Sequence, residues 1–423
     1  MATKVILNIG EDEELECQGY KRHIGKTVLT HVLSLLFLGL PYLVGYWKPE
    51  WQIKWFRSVC PLVQADTVLI KDLNTEDQAC SVIPIVSEKV TDEFICQFIH
   101  KSEDEEIVSD SSTHSESYHD RIPLWNNVKY SLRYFEYHQV RYVWDGKEKS
   151  YVRLFGLDKN TPLHLFNSTL TQGLTKEMQS MKQILHGLNS INVEVKPYLK
   201  LLFEEVLNPF YIFQIASITL WSLDDYYYYA GCIFFISVVS VIVSLLETRR
   251  QSQSLHDMVA TSNTLSAKVY RGQDIFEDVP SIDLVPGDVI AIPANGCTMP
   301  CDAVLVAGTC IVNESMLTGE SVPVTKSALP LADFNDGNEE HYDPERHKRH
   351  TLFAGTAVIQ TRYYGQSHVL AVVARTGFET AKGALIRSIL YPKPMGFKFY
   401  RDSIRYVIKY FRISLDDKLN TYF

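Results

Sequence analysis

The stretch Val312-Asn313-Glu314-Ser315-Met316-Leu317-Thr318-Gly319-Glu320-Ser321-Val322-Pro323-Val324-Thr325-Lys326 sets one carboxylate, Glu320, on a tight glycine turn between apolar, strand-like flanks. Glycine lets the backbone enter conformations closed to other residues, and Thr318 and Ser321 place hydroxyls beside the carboxylate. Taken alone, Thr-Gly-Glu-Ser describes an ordinary solvated turn as readily as a reaction site. The surroundings carry more. From Ala267 to Arg375 short β-branched runs alternate with Gly, Pro and Asn punctuation, as in Asp288-Val289-Ile290-Ala291-Ile292, Ala303-Val304-Leu305-Val306 and His368-Val369-Leu370-Ala371-Val372-Val373. That pattern predicts a compact β jelly-roll holding Glu320 at a strand end.

Upstream stand Asp283-Leu284-Val285-Pro286-Gly287-Asp288-Val289 and Met299-Pro300-Cys301-Asp302-Ala303-Val304-Leu305; downstream stand His350-Thr351-Leu352-Phe353-Ala354-Gly355-Thr356 and Arg375-Thr376-Gly377-Phe378-Glu379-Thr380-Ala381-Lys382-Gly383. In this order and spacing the blocks resemble the actuator domain of P-type ATPases. Glu205-Val206-Leu207-Asn208-Pro209-Phe210-Tyr211-Ile212-Phe213-Gln214 and Ser388-Ile389-Leu390-Tyr391-Pro392-Lys393-Pro394 resemble, more narrowly, the type 5 subgroup B pumps that transport polyamines. The likeness runs from about the start of the chain to about Asp402. It implies that the loop swings over an aspartyl-phosphate on another domain, where Glu320 positions the hydrolytic water with Thr318, Gly319 and Ser321 around it.

The phosphorylated Asp of that family sits in Asp-Lys-Thr-Gly-Thr, a pentapeptide that does not occur in these 423 residues. The resemblance therefore implies ATP and Mg²⁺ as cofactors of the complete pump, with neither expected to bind this chain alone. Two expectations follow. The chain is the amino-terminal part of an ATP-driven polyamine transporter, or it is a catalytically incomplete truncated isoform that acts as a lipid-binding or regulatory membrane protein. The family setting implies an integral, multi-pass protein of an endosomal, lysosomal or other endomembrane with the actuator in the cytosol.

A charged fraction of 22% and a formal charge of -9 fit neither a nucleic-acid binder nor a wholly disordered chain. Eight scattered Cys lack the spacing of a disulfide framework or zinc module. Cys297 and Cys301 read as packing residues, His341, His347 and His350 as exposed ones, and no metal is assigned.

Three apolar segments are oriented by their charged flanks. Thr27 to Trp47 has Lys21, Arg22 and Lys26 before it and Lys48, Lys54 and Arg57 after it, with Gly39, Pro41 and Gly45 inside. Basic residues on both sides and a breakable middle predict a re-entrant hairpin in the cytosolic leaflet rather than a crossing; no small-residue site marks a cleaved signal peptide. Lys21, Arg22 and Lys26 are candidates to meet anionic headgroups. Val206 to Leu223 and Tyr228 to Leu246 read as two transmembrane helices with Lys196, Lys200, Arg249 and Arg250 outside them and an acidic, lumenal turn between. There Asp224, Asp225, Tyr226 and Tyr227 are candidate polyamine contacts through charge and cation–π attraction, with an interfacial aromatic belt as the alternative. The sequons at Asn167 and Asn313 fall on the cytosolic side and are expected to be unmodified.

The expected whole is a multi-domain α+β membrane protein: tail and hairpin (1–60), a cytosolic domain (61–170) with a disordered acidic loop (101–120), a helical segment packing on the actuator (171–205), two transmembrane helices (206–246), the actuator (247–390) and a truncated or divergent tail (391–423). Its expected partners are membrane lipids, the remaining pump domains and polyamine, with no nucleic acid.

Overall fold

The computed structural model describes residues 4–10, 13–37, 39–74, 80–89, 131–146, 149–157, 161–166, 173–260, 265–272, 275–330, 341–363 and 368–392. The acidic loop 101–120, Asn167 and the tail from 393 onward lie outside the described residues.

The amino-terminal unit is built from two antiparallel sheets. In the first, Lys4–Leu7, Leu15–Arg22, Thr67–Asp72 and Cys80–Pro84 lie in that order, and Arg57–Val59 also pairs with Leu15–Arg22. In the second the order is Val86–Lys89, Ser131–Tyr137, Val140–Asp145 and Ser150–Arg153. Strand alternation points one face of each sheet inward. Leu15, Cys17, Val68 and Ile70 of the first thus meet Phe135, Tyr142 and Tyr151 of the second in one buried cluster.

The opening residues are accordingly strands of this domain, where the sequence reading made them a tail. Their runs are short and interrupted by charge; Leu15–Arg22 pairs with Thr67–Asp72, beyond the intervening hairpin, and Lys4–Leu7 pairs in turn with Leu15–Arg22. That hairpin comprises α1 (Ile24–Leu36), α2 (Leu40–Trp47) and α3 (Pro49–Phe56). Helices α1 and α2 meet at 114°. The bend sits where Gly39 adopts φ +83° and caps α2, with Pro41 in its first turn. Thr27 and Thr30 of α1 donate their hydroxyls to the carbonyls of Phe56 and Trp55, tying α1 to the end of α3.

Next come α4 (Lys176–His186), α5 (Tyr198–Val206), α6 (Pro209–Leu223) and α7 (Tyr227–Ala260). Asn208 caps α6 by accepting from Phe210 N at 3.2 Å, and Pro209 occupies the first helical position. The 67° bend between α5 and α6 falls there. Only α7 is by itself long and apolar enough to cross a membrane among the described residues. The 15 residues of α6 rise about 22 Å, less than a hydrocarbon core of about 30 Å, so it reaches spanning length only together with α5. The bounds of the second and third segments shift accordingly: the second begins its helix at Pro209, after the bend at Asn208, and the third continues past Leu246 through Arg249 and Arg250 to Ala260. Helices α6 and α7 pack through Ser237 to Gln214 at 2.9 Å and Tyr211 to Ser240 at 3.2 Å.

The remaining unit is sheet-rich. Six strands run Phe276–Pro280, Ser266–Tyr270, Val289–Ile292, Val369–Arg375, Asp302–Ala307 and Thr351–Leu352, and four run Cys297–Thr298, Ala357–Arg362, Thr309–Asn313 and Val324–Ser327, each in sheet order. Val269, Ile290, Ala303 and Leu305 of the larger sheet pack against Cys310, Val312 and Val358 of the smaller. The larger sheet's other face is covered by Leu157, Leu163 and Phe166, which join Val289, Val304, Val372 and Tyr342. These three lie inside the span 61–170 assigned to the preceding domain, yet they complete this core. Tyr342, which follows His341 of the histidines read as exposed, is itself buried with its amide on the Thr161 carbonyl at 2.8 Å. Helix α8 (Ala381–Leu390) closes the unit and is capped by Thr380, whose hydroxyl accepts from Gly383 N at 3.0 Å.

Candidate catalytic loop and its supports

Strands Thr309–Asn313 and Val324–Ser327 pair antiparallel, with Val312 opposite Val324 and Cys310 opposite Lys326. The loop between them carries Glu320. It begins with one helical turn, Ser315–Thr318, closed by Gly319 at φ +78°. This is the left-handed conformation that ends helices and favours glycine. Asn313 Oδ1 accepts from Ser315 N at 2.9 Å, and the Glu314 carbonyl accepts from Leu317 N at 2.9 Å and Thr318 N at 3.0 Å. The Thr318 hydroxyl donates to that same carbonyl at 3.2 Å and accepts from Glu320 N at 3.2 Å. Thr318, Gly319, Glu320 and Ser321 are all exposed, so the structure brings the four together on a projecting tip. Met316 and Val322 flank them with 67% and 72% of their surface exposed.

The base of the loop is the opposite environment. Lys326 is 2% exposed and Glu314 8%, and Lys326 Nζ lies 2.7 Å from Glu314 Oε1. The ammonium also donates to the Lys348 carbonyl at 2.8 Å and sits 5.2 Å from the Phe353 ring centre. Sequence reasoning missed this pair. A Glu and a Lys twelve residues apart carry no helical or strand periodicity, and the hairpin register sets Lys326 opposite Cys310 rather than Glu314, so the pair emerges only in the folded loop stem.

Side chains from distant segments hold the sandwich that presents the loop. Asp302, buried, accepts from Ala354 N and from Ala381 N, each at 2.8 Å, linking a strand to a turn and to the start of α8. Asn189 donates to the Ser281 carbonyl at 2.7 Å and accepts from Gly377 N at 2.8 Å. Helix α4 is fixed on the same body by Gln183 to Asp283 at 2.8 Å and by Lys182 to the Pro286 carbonyl at 2.9 Å. Burial pushes the Lys182 amine down to about 8 and the His186 imidazole down to about 3. Burial raises the Asp288 carboxyl even though Arg271 lies 2.8 Å away.

The other candidate residues are dispersed. Tyr227 donates to Asp225 Oδ1 at 2.9 Å, Asp224 caps the end of α6, and Tyr226 packs on Tyr229 with ring centres 6.3 Å apart. Asp225 thus accepts from a neighbouring tyrosine, and Tyr226, Tyr227, Tyr228 and Tyr229 are all exposed. Lys21, Arg22 and Lys26 are exposed beside the hairpin, with Arg22 opposite Arg57 and Lys26 Nζ 3.4 Å from the Arg57 carbonyl. A cavity of about 570 Å³ opens among α1, α2 and α3, lined by Leu29, Leu33, Phe37, Val44 and Trp55, with Lys26 and Lys54 also facing it. His347 and His350 are half-buried rather than exposed, and His350 Nδ1 lies 2.8 Å from the Ser327 carbonyl. No group of three or more His, Cys, Asp or Glu able to hold a metal occurs among the described residues.

Comparison with known proteins places these features. Residues 261–390 match the P-type ATPase actuator domain family and residues 157–221 the cation transporter/ATPase amino-terminal family. The two-sheet body that carries the glycine-turned Thr-Gly-Glu-Ser loop is thus similar to the actuator domain of P-type ATPases. Residues 11–145 match the P5-type ATPase cation transporter family. It is 44% identical over 421 residues to polyamine-transporting ATPase 13A3 of Mus musculus, covering 95% of this chain and 33% of that protein. The human protein of that name is 43% identical over 410 residues, and the human probable cation-transporting ATPase 13A5 is 37% identical over 409 residues, again with about a third of the relative covered. The chain therefore spans about a third of the length of the relatives it matches, in their amino-terminal portion.

Proposed function

We propose that this chain is the actuator-bearing part of an ATP-driven polyamine transporter, and that Glu320 positions the water that hydrolyses an aspartyl-phosphate on another part of the pump. The observation that carries the reading is the loop itself. Glu320 stands exposed at a projecting tip, its turn internally hydrogen-bonded, on a stem anchored in a buried core. A carboxylate that must reach a phosphoryl group on another domain needs that combination of reach and fixed direction. The exposed Met316 and Val322 supply apolar surface for closure onto a partner face. ATP and Mg²⁺ belong to the complete pump.

The membrane arrangement belongs to the same proposal. Helix α7 crosses the bilayer, α5 and α6 together form a second crossing bent at Asn208, and the α1–α2 hairpin re-enters from the cytosolic leaflet of an endomembrane. Asp224 and Asp225 attract the polycation toward the lumenal mouth, and replacing both by Asn should raise the apparent substrate constant of the pump. The test of the central reading is Glu320→Gln in the pump that contains this segment: phosphoenzyme should form normally and accumulate, and decay at the unsubstituted rate would remove the role.

A second reading is favoured by the hairpin cavity. Lys26 and Lys54 beside an apolar hollow match an anionic lipid, with headgroup on the amines and chain among Leu29, Leu33 and Phe37. Under this reading the chain engages lipid and regulates transport. Flotation with phosphatidylserine vesicles that is insensitive to Lys26→Gln/Lys54→Gln would count against it.

A further inference from the structure

We propose that Glu314 and Lys326 are positioning residues that aim Glu320 through a continuous relay of bonds; this rests on the reading of Glu320 as the water-positioning carboxylate. The relay can be followed atom by atom. The Lys326 ammonium, enclosed by the Lys348 carbonyl and the Phe353 ring, holds the Glu314 carboxylate at 2.7 Å. That fixes residue 314, whose backbone carbonyl accepts from Leu317 N, Thr318 N and the Thr318 hydroxyl. The same hydroxyl accepts from Glu320 N. A buried charge is thereby connected to the exposed residue that carries the chemistry, with Thr318 as the intermediate link.

Beyond this relay the tip stands clear of the body. Met316 and the run Thr318–Thr325 are exposed, and a Cβ built on Gly319 would meet nothing within 4 Å. The pair's burial also calls for explanation, since an ammonium in the interior is expensive and an apolar pair of the same size often gives an equally stable fold. Retaining an ion pair at a loop stem is understandable if it specifies one geometry rather than adding stability. The Glu314 Oε1 contact is ionic and is not a well-angled hydrogen bond, so it is Lys326 being held from a second side, by the Lys348 carbonyl, that gives it direction.

The experiment is amide hydrogen exchange on this chain in nanodiscs, comparing wild type with Lys326→Met, Glu314→Gln and the double variant. Single variants leave one buried charge uncompensated and can unfold; the double variant removes both and serves as the decisive sample. The expected result is at least tenfold faster exchange of the Leu317, Thr318 and Gly319 amides in the double variant, with protection of Val369–Arg375 unchanged. Loop exchange within twofold of wild type while the core stays protected would overturn the proposal. Phosphoenzyme lifetime in the pump containing this segment separates the two levels of the account. Slow decay in both Glu320→Gln and Glu314→Gln/Lys326→Met supports both. Slow decay in Glu320→Gln alone sinks the relay and spares the reading, and normal decay in Glu320→Gln sinks the reading whatever the exchange data show.

Discussion

At the scale of single residues, the exposed tip depends on groups far from it in sequence. Asn189 satisfies the Ser281 carbonyl and the Gly377 amide from the interior. Asn189→Ala would strand the buried Gly377 amide at roughly 1–3 kcal/mol, while the Ser281 carbonyl keeps Leu284 N, and thermal unfolding of the chain in detergent should register a clear drop while α7 stays helical by circular dichroism. His186 gives a second expectation. Its folded-state value of about 3 lies below the ordinary 6.5 because of burial, with Lys182 and Arg141 adding repulsion. Between those two values the unfolded chain holds a proton that the folded chain does not, so stability rises with pH through that window and is complete above about 6.5. His186→Phe should flatten the acid limb of a plot of unfolding temperature against pH between about 3 and 6.5; an unchanged limb would place the sensitivity elsewhere.

At the scale of elements, what was readable in the sequence is what repeats locally. The strand runs of the actuator, the Gly39-Pro41 break and the apolar run of α7 all carry their determinants within a few residues, and each has its counterpart in the structure. The Glu320 turn was legible for the same reason, because Gly319 announces its left-handed conformation. What was not legible is what depends on register between distant segments. The pairing of Leu15–Arg22 with Thr67–Asp72, the packing of Leu157 and Phe166 on the actuator sheet and the Glu314–Lys326 pair all arise from tertiary placement, which no periodicity encodes. The topology of α6 and α7 is open to direct test. An Asn-x-Thr sequon inserted between Asp224 and Tyr226 in a lengthened loop should be glycosylated in microsomes, while Asn313 should not. Modification at Asn313 instead would invert the arrangement.

At the scale of the whole molecule, the amino-terminal domain and the actuator are joined by specific contacts. Arg153 pairs with Glu379 at 3.0 Å, the His138 ring stacks on Tyr391 at 4.4 Å, and Leu157 N donates to the Ala374 carbonyl at 2.8 Å. Gly156 permits this approach, since a Cβ there would stand 2.1 Å from the Ala374 oxygen. Gly156→Val should therefore separate the two bodies, exposing the 154–157 segment to protease while leaving each sheet pair intact; unaltered cleavage would show that the contact is dispensable. At the other end, Trp47 donates its indole N–H to the Leu207 carbonyl at 2.7 Å, at the bend between α5 and α6. The hairpin is thus fastened to the helix break, and the actuator, which follows α7, to the amino-terminal sheets; α7 itself is long and apolar enough to cross a membrane. Such a body is suited to carrying one carboxylate through a swing and returning it to the same place. The most direct test is the lifetime of phosphoenzyme formed from ATP in the pump containing this segment, measured side by side in the unsubstituted pump and in its Glu320→Gln variant. A variant phosphoenzyme that forms at the normal rate and persists at least tenfold longer is the predicted result; one that decays as fast as in the unsubstituted pump would contradict the account.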